Sequence, residues 1–102
     1  METVRSIDGI PIRLTEERWV HIIENHDDLA GYLDEVLNTI ESPDYVVRGY
    51  GEAKIALRLM RAGKSLAVIY KEATRDDGFV VTAYFTTKLR LEKEEVLWQK
   101  QQ

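Results

Sequence analysis

Residues 54–88, KIALRLMRAGKSLAVIYKEATRDDGFVVTAYFTTK, contain three apolar runs separated by two turn signals, Ala62-Gly63 and Asp77-Gly78. Runs rich in β-branched and aromatic residues and bounded by such turns read as strands, here Ala53–Arg61, Lys64–Ala73 and Phe79–Thr87. Treating Ala62-Gly63 as a two-residue loop sets Leu59 against Leu66, Leu57 against Val68 and Ile55 against Tyr70. On the other face Arg58 then meets Ala67, and Lys54 meets Lys71. With Asp77-Gly78 as the next loop, Tyr70 faces Phe85, Lys71 faces Tyr84 and Ala73 faces Thr82. This register separates an apolar face from one carrying Lys54, Arg58, Lys71, Thr82, Tyr84 and Thr86. A slip of one residue would move every side chain to the opposite face, so the register decides both the fold and the candidate site. Lysines directly opposed in a sheet repel, and Lys54 against Lys71 beside a phenol and hydroxyls suits a bound anion. A solvated outer face explains the same pattern without a ligand.

Upstream, VRSIDGIPIRL reads as two short strands around Asp8-Gly9, a pair suited to a tight turn. Pro11 marks the second as an edge strand or an extended arm. Thr15 is placed as an N-cap, with Glu16 and Glu17 in the first turn, where the helix dipole favours them. Trp19, Ile22, Ile23 and His26 follow at helical spacing, which predicts a helix over residues 16–25. A second helix, capped by Asp27 or Asp28, carries the stripe Leu29, Leu33, Val36, Leu37 and Ile40 and ends at Ser42-Pro43. Tyr45–Arg48 reads as a strand. The polar tail contains Val96, Leu97 and Trp98, able to add a last short strand or helical turn.

The chain has 102 residues, 44% hydrophobic and 31% charged, as expected for one soluble globular domain. It has no cysteine, which excludes disulfide scaffolds, thiolate metal sites and a cysteine nucleophile. No apolar run has the length of a membrane span, and nothing at the N-terminus reads as a signal peptide, so a cytoplasmic location is expected. Net charge is −4, but residues 1–47 hold 3 Lys/Arg against 11 Asp/Glu and residues 48–102 hold 11 against 7. An anionic ligand would therefore meet the second half.

His21 and His26 are the only histidines. Five residues apart on a helix they diverge by about 140°, so they share no face and do not form the i, i+4 metal pair. His26 lies in line with the apolar residues at the helix end, whereas His21 falls on the polar side with Arg18 and Asn25. Each is explained blandly, as a packing histidine and a solvated one, or functionally, as a proton-transfer group.

ERWVHIIENHDDL, LNTIESPDYVV, SLAVIYKEA, GFVVTAYFTTK and the terminal VLWQK together resemble the phage and bacterial nuclease-like families of the BECR superfamily. That group includes barnase, EndoU, the tRNase colicins and RelE-type toxins. The resemblance covers about residues 12–100 in the same order. It implies a single α+β domain over residues 1–102, with two N-terminal helices packed on one face of a curved antiparallel sheet of about four strands. Residues 1–14 would be an N-terminal hairpin or arm and 99–102 a tail. It also implies RNA cleavage without metal on the other face, with His21 and His26 matching the family's histidines and Thr82 and Tyr84 its final-strand motif. Asp27-Asp28 stands where the family usually has Pro-Glu.

Cleavage of RNA without metal needs a base for the ribose 2′-OH, an acid for the leaving 5′-oxygen and donors for the phosphorane. His26 is the first candidate for proton transfer and His21 the second. Lys54, Arg58 and Lys71 would hold phosphate, Tyr84 would orient the ribose or stack on a base, and Thr82 and Thr86 would donate hydrogen bonds. Arg48, before the GYG stretch, is a further candidate. No cofactor is expected; the expected partners are RNA, including tRNA, and a protein inhibitor or partner subunit. The rival reading is a non-catalytic protein-interaction module on a degenerate nuclease fold, favoured by Asp27-Asp28 and the acidic helices.

Overall fold

In a computed structural model of the chain, described over residues 1–101, Asp8-Gly9 folds the N-terminal segment back on itself. Gly9 has φ +80° and its N–H donates to the Ser6 carbonyl at 2.9 Å, a left-handed conformation that glycine adopts without steric cost. The resulting strands, β1 (Glu2–Arg5) and β2 (Pro11–Leu14), pair antiparallel. Helix α1 (Glu16–Asn25) begins where the Thr15 hydroxyl accepts the Arg18 N–H at 3.1 Å and ends at His26. A short 3₁₀ turn over Asp27–Leu29 and Gly31, at φ +87°, separate α1 from α2 (Leu33–Glu41). Asp27 and Asp28 therefore belong to that turn and do not cap the second helix.

Strands β3 (Tyr45–Arg48), β4 (Lys54–Leu59), β5 (Ser65–Thr74), β6 (Asp77–Thr86) and β7 (Val96–Gln99) complete one seven-stranded sheet in the order β1-β2-β6-β5-β4-β3-β7. The expected four-stranded antiparallel sheet beneath two N-terminal helices is thereby overturned. The N-terminal hairpin is part of the sheet, because β2 runs parallel to β6 through Ile12 opposite Gly78 and Arg13 opposite Phe79. Val96–Gln99 adds the far edge beside β3. The sheet is therefore mixed, and its helices follow two strands. The tail expected at 99–102 starts inside β7 at Gln99, and residue 102 lies outside the described residues.

The register differs too. The β4–β5 connection is the three-residue loop Arg61–Gly63, with Ala62 at φ 59° and Gly63 at φ 71°. The extra residue places Leu59 opposite Ser65, Ala56 opposite Val68 and Lys54 opposite Tyr70. Every side chain of β4 is thus on the other face from the one expected. The Lys54–Lys71 opposition does not exist. The β5–β6 turn is made by Arg75 and Asp76, flanked by Thr74 opposite Asp77, so Tyr84 faces Ala67 and Phe85 faces Leu66. A bulge at Val81 breaks the alternation in β6, the usual effect of one unpaired extra residue. Val80, Ala83 and Phe85 consequently share the helix side.

The inner face carries the main core. Ile22 of α1 and Val36, Leu37 and Ile40 of α2 pack over Ala56, Leu66, Val68, Tyr70, Val80 and Ala83. On the outer face Val47, Leu57 and Ala67 form a smaller cluster, covered by Leu89 and Leu91 as the chain returns from β6 towards β7.

A polar cluster fixes the hairpin across the inner face. Lys54 Nζ donates to Asp8 Oδ2 at 2.8 Å and to Glu72, while the Ser6 hydroxyl donates to the other oxygen of Glu72. The Lys54 bond is the chief cause holding the Asp8 carboxyl below its ordinary value of 3.8, against a smaller effect of burial. For Lys54, burial pulls the ammonium down, but the bonds to Asp8 and Glu72 together carry it above its ordinary 10.5. Asp8 therefore contributes stability that is present above pH 3.8 and lost as pH falls through its lower folded value. The Lys54 contribution is present below pH 10.5 and lost as pH rises through its higher folded value. Removing the cation leaves Glu72, only 12% exposed at its side chain, without a counter-charge and with only the Ser6 hydroxyl on its other oxygen. Lys54→Ala should cost about 1–3 kcal/mol in urea denaturation at neutral pH, the scale of a buried polar group left unpaired. An unchanged midpoint would show that the hairpin is held without this cluster.

Candidate active site at the edge of the outer face

Beyond Phe79, β2 no longer accompanies β6. The chain turns instead into α1, which packs against β6. The residue that caps its C-terminus, His26, whose N–H closes the helix on the Ile22 carbonyl at 2.8 Å, lies beside Tyr84, with ring centroids 5.9 Å apart at 35°. Both side chains are half-buried. Thr82 and Thr86 flank Tyr84 on the outer face, and the Thr86 hydroxyl accepts the Lys88 N–H at 3.1 Å.

Next to Tyr84 is a concavity of about 170 Å³. Leu57 and Ala67 form its floor, Tyr84 and Thr86 a wall, and Lys88 and Glu94 contribute one charge of each sign. Tyr84 thus links the His26 imidazole to a concavity that holds a hydroxyl and an ammonium over an apolar floor, a concavity that His26 itself does not line. Those groups can move a proton, donate hydrogen bonds and oppose a negative charge.

The other expected phosphate ligands are placed elsewhere. Lys54 is held in the hairpin cluster on the inner face. Arg58, on that same face through the register shift, donates to the carbonyls of Ser42 at 2.7 Å and Asn38 at 3.4 Å. There it satisfies the Ser42 carbonyl at the end of α2 and adds a second donor to the Asn38 carbonyl, which already accepts the Ser42 N–H. Arg48 forms a two-pronged pair with Glu95 at 2.9 and 3.1 Å. Lys71 shares the outer face and is exposed. It stands four residues along β5 from the partner of Tyr84, about 13 Å at strand rise. His21 is exposed beside Thr15, Glu17 and Arg18 on the solvent side of α1, away from His26.

Lys88 and Glu94 are the site residues that sequence reasoning missed. Their signal lay in Leu89 and Leu91, apolar residues two apart in a charged segment, which fold that segment onto the sheet. Among the described residues no three His, Asp or Glu side chains converge as a metal-ligand set, and no helix is long and apolar enough to cross a membrane.

The chain matches no family model, no curated protein and no solved structure of known proteins.

Proposed function

We propose that the protein is an endoribonuclease-type domain that cleaves RNA without a metal ion at the His26–Tyr84 corner, with toxin-like, BECR-related ancestry. The observation that carries this reading is the 5.9 Å approach of His26 to Tyr84, two residues 58 positions apart in the chain. A packing histidine needs no phenol beside it. Paired with hydroxyls and a lysine on one accessible edge, it has what transesterification requires.

In this scheme His26 takes the proton of the ribose 2′-OH. The 2′-oxygen attacks phosphorus, the bond from phosphorus to the 5′-oxygen breaks, and Tyr84 gives its proton to that leaving oxygen. The products are a 2′,3′-cyclic phosphate and a 5′-hydroxyl, and proton exchange with solvent restores both side chains. Lys88 opposes the charge on the phosphorane, and Thr82 and Thr86 lie on the face where its oxygens would be received. The expected result is cleavage of tRNA or total RNA by purified protein at a rate unaffected by excess EDTA. Loss on chelation, with recovery on adding a divalent ion, would overturn it.

The second reading is a non-catalytic protein-interaction module. It is favoured by the engagement of Lys54, Arg58 and Arg48 within the protein and by the net charge of −4. Intact RNA after prolonged incubation would support it.

A further inference from the structure

With Lys54, Arg58 and Arg48 occupied, any polyanion must be held by other cations. Two segments, LMRAGK at 59–64 and TTKLRLEK at 86–93, contain five of the fourteen lysines and arginines and a single acidic residue. The fold brings them together at one end of the sheet. Leu59, Met60 and Lys64 from the first segment and Thr87, Arg90 and Leu91 from the second line a groove of about 580 Å³. A second concavity of about 550 Å³ continues around the β4–β5 turn past Arg61. Leu89 borders both the first groove and the concavity beside Tyr84, where Lys88 stands. The result is one path from the turn to Tyr84 and Lys88.

The cations on this path are available. The ion pairs among the described residues engage Arg13, Arg48, Lys54 and Arg90, so Arg61, Lys64 and Lys88 belong to none of them. Arg90 meets Glu92 only at 3.8 Å, with both side chains more than two-thirds exposed, an arrangement worth little in water. Lys64 is positioned with its ammonium 4.5 Å over the Phe85 ring, which Tyr32 meets edge-on. Of the nearby carboxylates, Glu92 lines the groove, Glu94 stands at the far end, and Asp44 accepts the Leu59 N–H. Between the cations, Leu59 and Met60 are exposed, offering apolar surface to unstacked bases.

We propose that this end of the sheet is a binding track for single-stranded RNA, with Arg61, Lys64, Arg90 and Lys88 meeting successive phosphates. The destination of the track rests on the proposed cleavage reading; its affinity for RNA does not. An acidic peptide would meet the same charges, but a line of cations around an edge suits a chain of phosphates better than one anchored side chain.

The test uses the full chain carrying His26→Ala, which keeps RNA intact, and a fluorescein-labelled RNA of roughly 12 nucleotides, within the range such single-strand sites span. Affinity should fall with salt. Lys64→Glu and Arg90→Glu should each weaken binding by roughly tenfold or more and lower the salt slope by about 0.7 for each phosphate no longer neutralised. Arg90→Glu alters an exposed side chain, which separates binding from any packing effect of removing Lys64 from Phe85. Arg75→Glu, at the β5–β6 turn, should change neither quantity. Equal weakening in Arg75→Glu would overturn the track. So would absence of RNA binding, including the case where a peptide rich in glutamate and leucine binds instead and no longer does so in the same variants. Binding along the track by the unsubstituted protein, without cleavage, would remove the catalytic reading and leave the track standing.

Discussion

Tyr84→Phe is expected to fold and melt like the unsubstituted protein while losing roughly 10²-fold or more in RNA cleavage, the scale set by one positioned proton-transfer group. The ring packs with Val47, Leu57 and Ala67 on the outer face, and phenylalanine preserves that packing. Only the hydroxyl is removed. His26→Ala should cause a loss of the same order. The two changes together should cost less than the product of the single losses, because residues acting in one step are not additive. Rates and melting temperatures of the three variants check this. Full activity in both single variants would return this corner to ordinary packing.

Gly78→Ala should be the most damaging small change to the fold. Gly78 is buried in β6, with Ile12 of β2 on one side and Glu72 of β5 on the other. An added Cβ would stand 2.5 Å from both Ile12 Cδ1 and the Lys71 carbonyl oxygen. One of these is backbone, so relief requires the strands to part. A cost of about 3 kcal/mol is expected, at the upper end for overpacking, and a fall in melting temperature of more than about 10 °C for a domain of this size. The Lys71 carbonyl belongs to β5 and would oppose the added Cβ even if β2 were a loose arm, so an unchanged or raised melting temperature would contradict the close packing of Gly78 against both neighbouring strands.

Local signals in the sequence were read well where local physics decides. The Thr15 cap with Glu16 and Glu17 places α1 at Glu16–Asn25 as expected, and the stripe Leu29, Leu33, Val36, Leu37 and Ile40 is buried or half-buried. The hairpin at Asp8-Gly9 and four of the five strands after α2 also overlap the runs their composition marks, although Asp77-Gly78, expected as a turn, opens β6. What failed was non-local. Two residue pairs join β2 to β6, and nothing in either strand's pattern announces a parallel partner. One extra loop residue at Arg61–Gly63 exchanged the faces of β4, taking Lys54 and Arg58 to the inner face, where Asp8, Glu72 and the end of α2 engage them. His26 and Tyr84 were each singled out by residue chemistry. Their meeting depends on where β2 leaves β6, which only the assembled sheet determines.

End-group analysis of RNA cut by the protein in excess EDTA addresses the His26–Tyr84 chemistry most directly. Fragments should carry 2′,3′-cyclic phosphate and 5′-hydroxyl ends, and a parallel digest with His26→Ala should contain almost none. Fragments with 5′-phosphate ends, or equal amounts of cyclic phosphate in the two digests, would contradict cleavage at this corner.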